Sequence, residues 1–565
     1  MYYNLLKIMD RESRPGSTGT SRQPGRWIIL AALAAGLGLG LWSIADNAPT
    51  FDEPVHLASG YATLCAGSYR FAALPPFSEM WAALPLLALR VKGFHTHPDF
   101  VNGRLLHYAD FLLYHNPVPA ERMLGAARAF VLLTMLPVLV LVLVSWTRRL
   151  AGMAAACGAA VALALCPVVI SNFSLATVDA VPTVLWFTTF WLLSRAAAGA
   201  VTLGWAATAG CCAGLALASK FNMILLPPLG LALLTWDWAL RPSPRPKVPW
   251  MGAAVFCGCA AAALAIVYRW THLPLYWEGL RETMTQLEGG RASFLWGRYS
   301  TTGLWPYFPV TLLVKTPIPI LILASVGTVW WLRKVGRKGR RRESLWIFGP
   351  FLGYLAAALA CRTQIGVRHI LPVMPFLLML AGLGVSALWS RPRSGLALLL
   401  LGVWAVVSVG RVGPHQLAYF NELVGGPDQG YRILADSSLD WGQDLKGLAR
   451  VLREMGNPTV FLSYFGTADP AAYGMRYIPV LCSPHVDRPG NAPGPKARER
   501  VLLAVSATNL QGVYFTDHDL LGWLKTRQPL KVVGYSIFLY DLTEDQEGQE
   551  RLARLVARLR QDAQG

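Results

Sequence analysis

The sequence predicts a polytopic α-helical membrane protein of about eleven transmembrane helices followed by a mixed α/β domain. Three observations predict it. The 565 residues are 54% hydrophobic and only 15% charged, where a soluble domain carries nearer a quarter. The apolar residues are gathered into long uncharged runs. The basic residues fall in alternate connections between those runs. This composition excludes a disordered chain and argues against a purely soluble enzyme.

The first run, Trp27 to Ala45, is followed by an acidic stretch and has no small-residue cleavage pattern, so it reads as a retained span rather than a signal peptide. Further runs cover 129–147, about 152–173, 180–194, 196–219, 221–236, 248–268, 316–332, 344–361, 370–390 and 394–410. Each approaches the roughly 20 residues that cross a hydrocarbon core as a helix. The short runs 180–194 and 221–236 borrow interfacial residues at their ends.

Alternation sets the orientation. With a cytoplasmic N-terminus, the cytoplasmic segments are 1–26, 148–149, 195, 237–247, 333–343 and 391–393, holding 20 Lys/Arg against four acidic residues. They therefore carry +16 of the chain's formal +19. The run from Arg333 to Arg342 is read as a topology signal in contact with lipid headgroups, not as a nucleic-acid site. The chain divides into a basic tail at 1–26, expected to be disordered, and a transmembrane domain at 27–411 with outer loops at about 46–121 and 269–307. An extracytoplasmic α/β domain at 412–565 completes it. That last region has 16 basic and 17 acidic residues, the near neutrality of a folded soluble domain. Its expected strands are 459–465, 501–505 and 531–540, and its expected helices are 445–455 and 550–559. Residues 483–499 read as a loop. The nine cysteines are dispersed, so no zinc site and no disulfide is assigned.

The candidate chemistry gathers on the outer side. Asp52 and Glu53 come just after the first span, and a partly desolvated carboxylate there has a raised pKa and is a better general base. Asp52 also fits an N-cap, because Pro54 follows it. His56 shares a helical turn with Glu53. Leu74-Pro75-Pro76 introduces a short apolar helix from Phe77 to Leu89 that suits the membrane interface. Asp179 begins one span, and Lys220 lies between two others. Lys315 sits inside an apolar stretch, where it either snorkels or faces the bundle. Arg128 opens the second span on the outer side, with Arg298, Arg362, Arg368 and His369 at the same depth. Cations at headgroup depth suit a lipid phosphate or diphosphate.

These residues lie in segments that resemble the family 39 glycosyltransferases. That family depends on polyprenyl phosphate and includes protein O-mannosyltransferases and aminoarabinose transferases of the GT-C architecture. The resemblance rests on FDEPVHLASGY at 51–61, Pro75-Pro76 and AALP at 82–85, and on Arg128, ATVD at 176–179 and ASKF at 218–221. It continues through YFPV at 307–310, KTP at 315–317, IGVRHILP at 365–372, YFNEL at 419–423 and DSSLDWGQD at 436–444. The segments keep their order from 51 to 444, and an ordered set is far more specific than a lone Asp-Glu.

The resemblance implies a multi-pass protein of a bacterial cytoplasmic (inner) membrane. It implies a sugar transferred, with inversion, from a polyprenyl-phosphate donor to a hydroxyl of an envelope glycan, lipid or protein. Asp52, beside Glu53, is then the base. Arg128, Lys220, Arg298 and Arg368 are the candidate donor-phosphate ligands. His56, Tyr61, Glu79, Asp179, Lys315 and His369 line the substrate cavity. Relatives place His or Lys directly before the Pro-Pro pair, where this chain has Ala73-Leu74. That departure puts a divalent metal in doubt, and no cofactor is assigned. Two other readings stay open: a transporter or flippase of lipid-linked sugars, and a non-catalytic scaffold that binds lipid carriers.

Overall fold

The computed structural model describes residues 23–198, 202–241, 250–338, 340–482, 490–493 and 499–562. The expectation of disorder for the basic tail and most of the loop expected at 483–499 lie outside these residues.

Among the described residues the protein is an α-helical membrane protein with a small sheet domain at its C-terminal end. Six helices are long and apolar enough to cross a membrane, and shorter apolar helices accompany them. α1 is Gln23–Asp46. The segment after it forms α2 (Glu53–Ala66), α3 (Phe77–Ala88) and α4 (Leu105–Tyr114). α5 (Ala120–Ala164) is kinked at Ala151–Gly152, where Gly152 takes φ +84°, so a break falls between the two spans expected there. The expected span at 152–173 breaks before Pro167, which cannot donate a helical N–H and starts α6 (Pro167–Phe173) instead.

The next helices are α7 (Ala180–Ala197), α8 (Leu203–Leu217), α9 (Leu226–Ala239) and α10 (Trp250–Val267). After them α11 (Pro274–Gly289), a β1–β2 hairpin (Ser293–Leu295, Arg298–Ser300) and α12 (Tyr307–Lys315) lead back to the bundle. It closes with α13 (Ile318–Lys338), α14 (Arg341–Ala360), α15 (Met374–Trp389) and α16 (Gly395–Gly410). α15 is the centre: it packs against α5 and α13 and is almost wholly buried. α16 is its opposite. Leu396, Leu399, Leu400, Val403 and Val406 are exposed along it, a surface whose natural solvent is hydrocarbon.

The C-terminal domain holds a five-stranded sheet in the order β4-β3-β5-β7-β6, with β3 at Val460–Ser463, β4 at Tyr477–Pro479 and β5 at Leu502–Ser506. β3 runs parallel to both β4 and β5, and β5 pairs antiparallel with β7. The expected strand 531–540 is two strands. β6 (Lys531–Val533) and β7 (Ile537–Asp541) form a hairpin because Gly534 and Tyr535 both take positive φ. α17 (Leu445–Glu454) and α18 (Gln546–Asp562) match the two expected helices.

The domain is tied to the C-terminal end of α1. Ala48 N–H donates to the Gln443 carbonyl and Phe51 N–H to the Trp441 carbonyl, each at 2.8 Å. Arg450 reaches Asp46 at 2.5 Å, and Lys446 reaches Glu121 at 2.8 Å. In the loop beneath, α2 lies so close to α3 that a Cβ at Gly60 would stand 2.1 Å from the Glu79 carbonyl oxygen.

Candidate active site

Asp52 occupies the N-cap position of α2, yet its side chain makes no capping hydrogen bond. It turns instead to Arg368, whose Nη1 donates to Oδ2 at 2.6 Å. The Asp52 side chain is 25% exposed and that of Arg368 only 9%. Burial pushes the Asp52 carboxyl up, but Arg368, with His56 and Arg291, holds it below its ordinary value of 3.8. The expectation of a raised pKa is therefore corrected. The partner 316 residues away was not paired with Asp52 in the sequence reading.

Arg368 is itself positioned by packing. Its guanidinium lies over the Trp441 ring at 4.2 Å, a cation–π contact within the buried cluster of Leu175, Leu417 and Trp441. The turn Val367–Val373 carries it, and Gly366 before that turn must be glycine, since a Cβ there would stand 2.1 Å from Ser437 Oγ. Ser437 Oγ donates to the Ile365 carbonyl at 2.7 Å, and Ser438 Oγ accepts from the Val367 N–H at 3.1 Å. The motif at 436–444 thus braces the arginine turn. Arg368 also lies within electrostatic reach of Asp179 and Asp436.

Glu53, expected beside Asp52 as a catalytic carboxylate, faces a closed ring of hydrogen-bond donors. It is 0% exposed. Oε1 and Oε2 accept from Arg128 Nε and Nη2 at 2.7 and 2.6 Å, and also from the N–H groups of Ala176 and Thr50 and the Thr50 hydroxyl. Arg128, expected as a donor-phosphate ligand, makes its remaining bonds to the carbonyls of Asn47 and Ala48 at 2.9 and 2.8 Å, which clamps the guanidinium inside protein.

Lys220 donates to Asp179 at 2.6 Å, with the carboxylate fully buried and the ammonium mostly so. His369 stands next to this pair with Nε2 buried and unpartnered, and Arg368 has its Nε in the same condition. His56 Nδ1 and Glu79 Oε1 are 2.9 Å apart, and Ser59 donates to Glu79 Oε2 at 2.6 Å. Burial works to lower the His56 pKa, but the Glu79 carboxylate raises it above 6.5.

Three expected residues fall elsewhere. Tyr61 donates its hydroxyl to the Val91 carbonyl within an apolar cluster. Lys315 does not snorkel: it is buried, donates to the carbonyls of Leu417 and Ser438, and sits over the Phe420 ring at 4.3 Å. Arg298 is exposed on β2. Leu74 packs against the cluster of Tyr69, Phe221 and Tyr276. Among the described residues no group of three His, Cys, Asp or Glu side chains converges as a metal-ligand set.

The structure adds residues not singled out as site candidates. Arg291 is exposed, yet within electrostatic reach of Asp52, His369 and Asp436. Asp436, quoted only as part of a motif, has a buried carboxylate that accepts from Tyr514. Its place at the head of the motif at 436–444 was the signal for Asp436. Tyr514 had none.

Residues 122–266, which include Arg128, Asp179 and Lys220, match the family described as dolichyl-phosphate-mannose-protein mannosyltransferase. No curated protein matches the chain by sequence. Among solved structures it is similar to ArnT from Cupriavidus metallidurans bound to undecaprenyl phosphate, at 14% identity and TM-score 0.48, over 92% of this chain and 98% of that one. It is similar also to the apo state of ArnT from the same organism, at 13% identity and TM-score 0.48, over 91% and 97%. The family model thus matches one segment of the chain, residues 122–266, and that segment overlaps the ordered motifs between 51 and 444.

Proposed function

We propose that the protein transfers a sugar from a polyprenyl-phosphate donor to an acceptor hydroxyl at the outer face of a bacterial inner membrane, with Asp52 as general base and inversion at the anomeric carbon. The observation that carries this reading is the Asp52–Arg368 pair: a partly exposed carboxylate held 2.6 Å from a guanidinium, with a second cation, Lys220, in the same group of charges. The paired carboxylate stays ionised at neutral pH and accepts a hydrogen bond from the acceptor hydroxyl. A low-pKa base is sufficient because the transition state has oxocarbenium character, so the nucleophile gives up its proton late.

The leaving group is a phosphate, and the cations meet its growing charge. Arg368 and Lys220 are each held by a carboxylate, Asp52 and Asp179, and a donor phosphate competes for both. When Arg368 turns to the phosphate, Asp52 loses the partner that depresses its pKa and becomes a stronger base. The C-terminal domain is placed on the outer side by the same reading, since it docks on the end of α1 beside Asp52.

The test uses the full-length protein reconstituted in vesicles with a radiolabelled polyprenyl-phosphate sugar and an envelope extract as acceptor. The reading expects label in a new product and release of polyprenyl phosphate. Movement of intact donor across the bilayer without cleavage would overturn it in favour of transport, and binding without either would favour a scaffold.

A further inference from the structure

We infer that the C-terminal domain supplies a carbohydrate-binding subsite for the acceptor, in which a sugar ring lies against Tyr514 and its hydroxyls bond to Asp436. The inference rests on the proposed transfer reaction and names the class of its acceptor.

The site has two chemically different sides that meet at Arg368. The charged groups acting on Asp179 are Lys220, Arg368 and His369. Those acting on Asp436 are Tyr514, Arg368 and Arg291, with the Ser437 N–H. A phosphate belongs with the Lys220 side. The buried Asp179 carboxylate is paired with the Lys220 ammonium at 2.6 Å, whereas Asp436 accepts from the neutral Tyr514 hydroxyl, so its charge disfavours a phosphate and suits neutral hydroxyl donors. The Asp436 side thus suits the uncharged partner in the reaction, and Asp52 lies near enough to Arg368 to serve both sides.

An aromatic wall runs along the Asp436 side. Phe51, next to Asp52 in sequence, stacks on Phe465 with ring centroids 5.2 Å apart. Phe465 stacks on Tyr514 at 5.5 Å with the planes 10° from parallel. Tyr514 is 38% exposed, while Asp436, which accepts from its hydroxyl, is 6% exposed. An exposed ring face beside a recessed carboxylate matches a pyranose. The C–H bonds of one sugar face meet the negative face of the ring, and the equatorial hydroxyls point sideways to an acceptor.

The topology agrees. Phe465 follows β3 and Tyr514 follows β5, two parallel neighbours in register from Val460↔Leu502 to Ser463↔Val505. Loops after the carboxyl ends of parallel strands are where open α/β sheets bind ligands. Here Thr508, also after β5, fixes the motif at 436–440. Its N–H donates to Asp440 at 2.8 Å, and its hydroxyl accepts from the Asp436 N–H at 3.1 Å.

The experiment is saturation-transfer NMR on the full-length protein in nanodiscs, with methyl hexosides and hexosamine disaccharides as probes. A serine/threonine peptide is the alternative probe, and a polyprenyl phosphate reports the donor side. Saturation is expected on the C–H protons of one sugar face in the wild type. Tyr514→Ala should weaken probe binding by about threefold to tenfold, with Tyr514→Phe restoring most of it and polyprenyl-phosphate affinity unchanged in both. Asp436→Asn should reduce binding of the same probes. Asp52→Asn should keep probe binding while losing transfer, which separates failure of the base reading from failure of this one. The subsite is overturned if no sugar probe saturates, if binding survives Tyr514→Ala, if polyprenyl-phosphate affinity falls with it, or if the peptide binds at Tyr514 instead.

Discussion

Asp52 and Glu53 are neighbours in sequence, both are carboxylates, and both pair with an arginine, yet the fold gives them opposite surroundings. Glu53 accepts five hydrogen bonds, two of them from Arg128, and is closed to solvent. Asp52 accepts one from Arg368, and a quarter of its side chain is open. A saturated pair has no capacity left for a substrate and a high cost of disruption. An unsaturated pair at a protein edge can exchange partners. The difference teaches that the chemistry of an arginine–carboxylate pair is set by what else each group is bonded to, not by residue type.

The comparison breaks most decisively at the closed pair. Arg128→Ala leaves the Glu53 carboxylate buried without its cation, and should cost about 3–5 kcal/mol of folding stability. Arg128→Lys should recover little, since an ammonium cannot bridge both oxygens and two carbonyls in the guanidinium's plane. Thermal unfolding of the purified full-length variants measures both. An Arg128→Ala protein as stable as wild type, with weakened donor binding, would return Arg128 to the phosphate.

The open pair should respond in affinity and pH dependence instead. Lys220→Met and Arg368→Gln should each weaken polyprenyl-phosphate binding by about tenfold or more, read by titration. Arg368→Gln should also shift the acidic limb of the rate profile upward. In the wild type Arg368 holds the Asp52 carboxyl below 3.8 against the effect of burial, so its removal leaves burial to raise it. An unchanged acidic limb would mean that Asp52 does not report in the rate.

The smallest effect concerns the seam between span and domain. His415 Nδ1 lies 2.9 Å from Asp444 and its Nε2 lies 4.0 Å from Asp46. Burial lowers its pKa, but these carboxylates carry it above 6.5. A raised histidine stabilises fully below its unfolded pKa, and the benefit is lost as pH rises through the folded value. Hydrogen exchange in 441–454 should therefore quicken from about pH 6 to about pH 9, and less so in His415→Gln. Equal quickening in both proteins would assign it to other groups.

Much of the architecture was legible because hydrocarbon imposes a coarse rule on composition. Runs of apolar residues marked the long helices, while α4, α11, the β1–β2 hairpin and β4 were missed, along with local breaks at Pro167 and the Gly534–Tyr535 turn. The site was legible only in part. Asp52 and Arg368 stood in recognisable segments, and the motif at 436–444 was noted without a role. The exchange between Arg128 and Glu53 was not legible, because a cation that clamps a carboxylate and one that binds a phosphate are the same residue at the same depth. Tyr514 could not be found from its own surroundings in sequence: β5 and the loop after it bring it to Asp436, 78 residues away.

The central claim is that the open carboxylate moves the proton while the closed one holds the fold. It is tested most directly by measuring sugar transfer and thermal unfolding on the same preparation of Asp52→Asn. Transfer should fall by about 10²–10⁴-fold, with the unfolding temperature close to that of the wild type. Transfer at the wild-type rate from a stable Asp52→Asn protein would contradict the account.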